Sequence, residues 1–217
     1  MQPAEHAAVE SALRSFAAGM IGLAAHELNN RLAVMRETVG LMEDLARAGK
    51  SGVAGTARAL SSLDDQVGRA LNIVRTLGGL GGALGSAGRD FDAGATLGDF
   101  LGLTERWARQ HSVRIERDIA GDLPRASGDP VHFLCLTHRL LVACAADLRP
   151  GGSIVLRLDR EGAGLLLRVR PEGERAGATA APGVADDAIN RELARRLGAE
   201  LLYEGGGAPT ITLAAAP

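Results

Sequence analysis

Residues 21–46 read IGLAAHELNNRLAVMRETVGLMEDLA. Within this stretch Ile21, Ala24, Leu28, Leu32, Met35, Val39, Met42 and Ala46 recur at steps of three and four. At 100° per residue they fall within roughly 80° of arc. So long and narrow an apolar stripe predicts a helix made for a bundle seam rather than an ordinary surface helix. The run Ala48-Gly49-Lys50-Ser51-Gly52 ends it, because glycine supplies helix termination. A second stripe follows at Leu60, Leu63, Val67, Leu71 (or Ala70), Val74 and Leu77. Two amphipathic helices joined by a short turn form an antiparallel hairpin over residues 1–80. A lone hairpin cannot cover both of its apolar faces, which calls for a second copy and a four-helix bundle in a homodimer.

The glycine-rich stretch Gly78–Gly88 is poor helix material and reads as a flexible joint, with the linker placed at 81–90. Beyond it, residues 91–217 have the pattern of an α+β domain. Residues 95–110 are expected as helix and Val113–Ile119 as strand, with a long apolar helix after Pro130 at 131–148. Strands at Ser153–Leu158 and Leu165–Arg170 turn at Glu161-Gly162-Ala163-Gly164. A polar loop over 171–183, a helix at 184–198 and strands at Glu200–Glu204 and Thr210–Ala214 complete the chain.

Aromatics make up 3% of the sequence, which argues against stacking-based binding of single-stranded nucleic acid. A net charge of −2 gives no general reason to bind nucleic acid or an anionic membrane. No apolar run approaches the roughly 20 residues needed to span a bilayer, and the N-terminus lacks the marks of a signal peptide. A cytoplasmic location is expected. Cys135 and Cys144 are wrongly spaced for zinc and read as small apolar residues of one helix.

The chemistry centres on Ala24-Ala25-His26-Glu27-Leu28-Asn29-Asn30-Arg31-Leu32. His26 points roughly 140° from the seam centre near Val39 and Asn30 roughly 180°, so both face solvent. A neutral imidazole on a rigid helix offers a lone pair for phosphoryl transfer, and a neighbouring carboxylate can orient the ring or accept its proton. A surface histidine taken alone is ordinarily only a solvated side chain.

The segment His26-Glu27-Leu28-Asn29-Asn30-Arg31-Leu32-Ala33-Val34-Met35 resembles the H-box of sensor histidine kinases in its HExxN form. Its place in the first helix of a hairpin, ahead of an α+β segment, is similar to that family's phosphotransfer and ATP-binding arrangement. The resemblance implies a histidine-kinase ATPase-like α/β sandwich after the hairpin. It also implies His26 as phosphoacceptor, Glu27 as its acid/base partner, and Asn30 as the residue positioning water against a partner's aspartyl phosphate. Arg31, Arg36 and Glu37 are the expected contacts to response-regulator receiver domains.

The family's ATP motifs are missing. Arg139 and Ala143 stand where the N-box expects asparagines, and Arg170-Pro171-Glu172-Gly173-Glu174-Arg175 replaces Asp-x-Gly-x-Gly. The lid glycines are reduced to Gly183-Val184-Ala185. Without a magnesium ligand or an adenine acceptor, a nucleotide loses its oriented contacts. The expectation is therefore a phosphotransferase that relays phosphate between receiver aspartates through His26, with no cofactor. The alternatives are a divergent histidine kinase, which would need ATP and magnesium, and a non-catalytic dimeric adaptor.

Overall fold

A computed structural model describes residues 3–50, 52–84, 90–174, 187–204 and 208–216. Helix α1 (Pro3–Arg47) and helix α2 (Val53–Leu84) form the antiparallel hairpin. The turn between them closes with Gly49 N–H donating to Ala46 O and Lys50 N–H to Leu45 O. Gly49 carries φ +65, a backbone state that a Cβ makes costly. Helix α2 continues into the expected joint, through Gly78–Gly82, to Leu84. Each glycine costs a helix up to about 1 kcal/mol relative to alanine. Ile73 and Thr76 are buried just upstream and Leu77 packs beside Ile73, so tertiary contact anchors the turns that the glycines extend.

The α+β part follows as helix α3 (Ala93–Gln110), strand β1 (Arg114–Ile119), helix α4 (Pro130–Asp147), strands β2 (Ser153–Glu161) and β3 (Gly164–Glu172), helix α5 (Ala188–Leu197), and strands β4 (Glu200–Glu204) and β5 (Ala208–Leu213). All three helices begin on an aspartate cap. Asp92 accepts from Ala95 N–H at 2.8 Å, Asp129 from Val131 N–H at 2.7 Å, and Asp187 from Ile189 N–H at 2.8 Å. Each cap satisfies a donor the helix cannot, worth about 1 kcal/mol. Pro130 sits in the first turn of α4, where its missing N–H costs nothing.

The five strands make one sheet in the order β1-β2-β3-β5-β4. Only β1 and β2 run parallel, and α4 is their crossover; the other pairs are antiparallel. Ile154, Leu156 and Leu158 of β2 alternate inward with Leu165, Leu167 and Val169 of β3, while Arg157 and Arg170 face water. The inward set packs on Leu97, Phe100, Phe133, Leu136 and Leu140 of the helices. Each such buried side chain stabilises the fold by about 1.5–3 kcal/mol over leaving it exposed.

The first third of α1 belongs to this same core. Val9, Phe16 and Met20 are buried in the cluster that holds the sheet. Glu10 pairs with Arg196 of α5 at 2.7 Å, and the Phe16 ring lies 6.2 Å from that of Phe100. A small second cluster of Ala24, Ile73 and Leu103, with Leu28 and Leu77 against it, joins α1, α2 and α3.

The stripe expected as one seam is therefore divided. Ala24 and Leu28 turn inward to that cluster, whereas Ile21, Leu32 and Val39 remain exposed, as do Leu60, Val67, Leu71 and Val74 on α2. Among the described residues no helix is long and apolar enough to cross a membrane. The lid segment at Gly183-Val184-Ala185 and most of the expected 171–183 loop lie outside the described residues.

Candidate functional site

His26 is exposed in the middle of α1, six residues or about 9 Å beyond Met20, where the helix leaves the α+β core. No protein group hydrogen-bonds or pairs with it among the described residues. The ring is thus presented to solvent on a helix anchored at one end in a packed domain.

Glu27 sits beside it but is already engaged. Its carboxylate forms an ion pair with Arg31, and Arg31 also donates to Gln66 Oε1 on α2 at 3.1 Å. This bridge ties the two helices together beside the histidine. Glu27 is thus oriented by Arg31 and makes no hydrogen bond to the imidazole. Asn30 is half-buried rather than facing solvent as its helical phase predicts. Arg31 is only 24% exposed, being committed to this bridge, while Arg36 and Glu37 are fully at the surface. Glu37 lies three turns on and about 20° round from His26, on the same face.

The face between α4 and α5 is where the resemblance looked for nucleotide contacts. There Arg139 donates from Nε to Asn190 Oδ1 at 2.5 Å and from its terminal nitrogen to Asp187 at 2.5 Å. Asp187 is also the cap of α5, so both oxygen-bearing side chains are spent on this lock. A cavity of about 580 Å³ remains beside it, walled on one side by Ala12, Ser15 and Phe16 of α1. The Phe16 ring lies 5.6 Å from His138. Burial, reinforced by the nearby Arg139 charge, holds the His138 pKa below its ordinary value. Burial pushes the Cys135 thiol up to about 11, against the weaker pull of Arg139, which keeps it protonated and inert. Among the described residues of this face Arg139 takes the side-chain oxygens of Asp187 and Asn190, and a fixed guanidinium is a poor neighbour for a magnesium ion. Among the described residues no group of three or more His, Cys, Asp or Glu is placed to hold a metal ion.

No protein-family model matches the chain, and no curated protein does. Solved structures do. The histidine kinase AdeS of Acinetobacter baumannii aligns at a TM-score of 0.49 and 16% identity, over 88% of this chain and 98% of that one. The catalytic domain of histidine kinase ThkA aligns at 0.48 and 11%, over 60% of this chain and 96% of that one. A structure described as a bacterial phosphotransferase aligns at 0.41 and 14%, over 94% and 95%. In this chain the helical hairpin carries His26, and the five-stranded domain carries the Arg139 lock.

Two features of the site escaped the sequence reading. The docking of α1 on the second domain did have a signal: Val9, Leu13, Phe16 and Met20 form an apolar stripe rotated roughly 90° from the 21–46 stripe. The second is a cleft between the hairpin and α3 into which arginines converge from four elements. Its members are scattered from Arg31 to Arg117, and no local pattern announces them.

Proposed function

We propose that this chain is a histidine phosphotransferase of a two-component phosphorelay, passing phosphate between receiver-domain aspartates through His26 without ATP. The resemblance of His26–Met35 to the H-box of sensor histidine kinases supports a place in two-component signalling. The observation that carries the finer reading is the setting of His26: exposed, free of internal partners, and held on a helix whose base is packed into a second domain.

Receiver-to-histidine transfer needs in-line access and a fixed nucleophile more than covalent help from the protein. A lone pair on a His26 ring nitrogen attacks phosphorus as the aspartyl oxygen leaves. Glu27, the next residue along the helix and held by Arg31, would take up the charge change at the ring. Return transfer runs the same path backwards to a second aspartate. The Arg139–Asp187–Asn190 lock supports the absence of a nucleotide step. The bare stripes of α1 and α2 support a homodimer, and the exposed Arg36 and Glu37 support receiver contact along the face of His26.

The test is to incubate the protein with radiolabelled ATP and, separately, with a phosphorylated receiver domain. Label enters only from the receiver, and His26→Ala abolishes uptake while leaving the helical signal intact. Glu27→Ala slows uptake without abolishing it, and Asn30→Ala acts mainly on receiver dephosphorylation. Label taken from ATP replaces this reading with a divergent kinase. Uptake from neither source leaves an adaptor.

A further inference from the structure

A cleft of about 450 Å³ opens between the hairpin and the second domain. Its walls carry Arg31 of α1, Arg69 of α2, Arg106 and Arg109 of α3, and Arg117 of β1. The carboxylates there are Glu27, Asp99 and Glu105. Glu27 is taken up by Arg31, and Glu105 stands 4.0 Å from Arg109. Arg69, Arg106 and Arg117 pair with nothing among the described residues, and Arg31 Nε–H is buried without an acceptor. Five guanidinium groups against three carboxylates leave the cleft two charges positive, in a chain whose net charge is −2.

Two further observations favour a ligand over a merely solvated basic face. The floor on α3 is formed by Ala95, Gly98 and Gly102, and a Cβ at either glycine would meet nothing within 4 Å. Glycine in a helix interior costs up to about 1 kcal/mol, so packing does not require these two and the space above them stays open. On α2 the cleft also lies away from the exposed stripe. On α2, Arg69, Asn72 and Thr76 sit about 140–200° round the helix from Val67, so a bundle partner seated on that stripe leaves the cleft accessible.

We propose that this cleft is a binding site for a small ligand carrying two or more closely spaced phosphate groups. Guanidinium groups recognise phosphate oxygens bidentately, and three unpaired ones on separate elements suit a chain of phosphates better than a single anion. The cleft volume falls within the ~300–1,000 Å³ typical of small-molecule sites. Because Glu27 and Arg31 form one wall, the occupant touches the ion pair beside His26. The site itself does not depend on the role of His26.

Isothermal titration calorimetry of the full chain with inorganic tripolyphosphate, without divalent metal, tests it. Binding saturates at one per chain. The double variant Arg106→Gln/Arg117→Gln weakens it by roughly tenfold or more, as expected for lost charge-assisted hydrogen bonds. Gly98→Leu, which fills the floor while favouring helix, weakens it as well. Arg47→Gln/Arg149→Gln, equal in charge change but outside the cleft, stays near wild type. Absence of saturable binding overturns the proposal, and so does equal weakening by both double variants. It is also overturned if tripolyphosphate fails to bind while the cleft variants slow uptake from a phosphorylated receiver, since the arginines then serve a protein partner.

Discussion

Replacing Phe16 by alanine measures how firmly the first third of α1 is built into the second domain. The side chain is 5% exposed, and its ring contacts Phe100 at 6.2 Å and His138 at 5.6 Å between centroids. Truncating a buried phenylalanine costs about 3–5 kcal/mol, the lost transfer free energy plus the cavity left behind. The cavity here lies between α1, α3 and α4, elements held by many other contacts, so it cannot simply collapse. For a domain whose whole stability is of order 5–15 kcal/mol, that is a large fraction. At about 2–4 °C per kcal/mol for this chain length, Tm falls by roughly 10 °C. Urea unfolding followed by Trp107 fluorescence is the assay, since the Trp107 ring lies 6.1 Å from His138 and so reports on the same cluster. Protomer concentration is held constant, because a dimer's stability depends on it. His26→Ala is the comparison and shifts stability by no more than about 0.5 kcal/mol, its side chain being exposed. A loss below about 1 kcal/mol for Phe16→Ala would refute the integration of α1 into the core.

Stability also depends on pH through His138. Its folded pKa lies below its ordinary value, so the unfolded chain binds the proton more readily. The contribution is fully present above about pH 6.5 and is lost as pH falls from there through the folded pKa. His138→Phe, which keeps the ring packing, flattens the Tm profile on that acid limb; a profile parallel to wild type refutes it. Leu32→Glu combined with Leu71→Glu places charge on both bare stripes, at positions 57% and 49% exposed in the single chain. Light scattering then reports a monomer with its helical signal intact, and an unchanged dimer mass excludes these faces as the interface.

The elements most legible in the sequence are those whose cause is local. The helices of the hairpin, α4 after its proline, and the β2–β3 hairpin turning at Gly162 each carry their own period and punctuation. His26 is exposed, as its helical phase predicts, whereas Asn30 on the same reckoning is half-buried. What was hidden depends on distant partners. The continuation of α2 through its glycines rests on the packing of Ile73 and Thr76, which propensity does not register. Glu27 is turned to Arg31 by a bridge that ends on Gln66, 39 residues away from it in the chain. The Arg139 lock joins residues about fifty apart, and an asparagine count could register a missing motif but not the bonds that replace it.

The continuity of α1 has a geometrical consequence. A single helix of 45 residues, about 67 Å long, runs from the α5 surface through His26 to the hairpin turn. The azimuth of the imidazole relative to the second domain is therefore a matter of counting. One residue inserted between Met20 and His26 swings the ring by 100° and advances it 1.5 Å relative to the second domain. Seven inserted residues bring it back to within about 20° of its original bearing, displaced by about 10 Å. A docking partner that touches both bodies reads that count as a key reads the depth of its cuts.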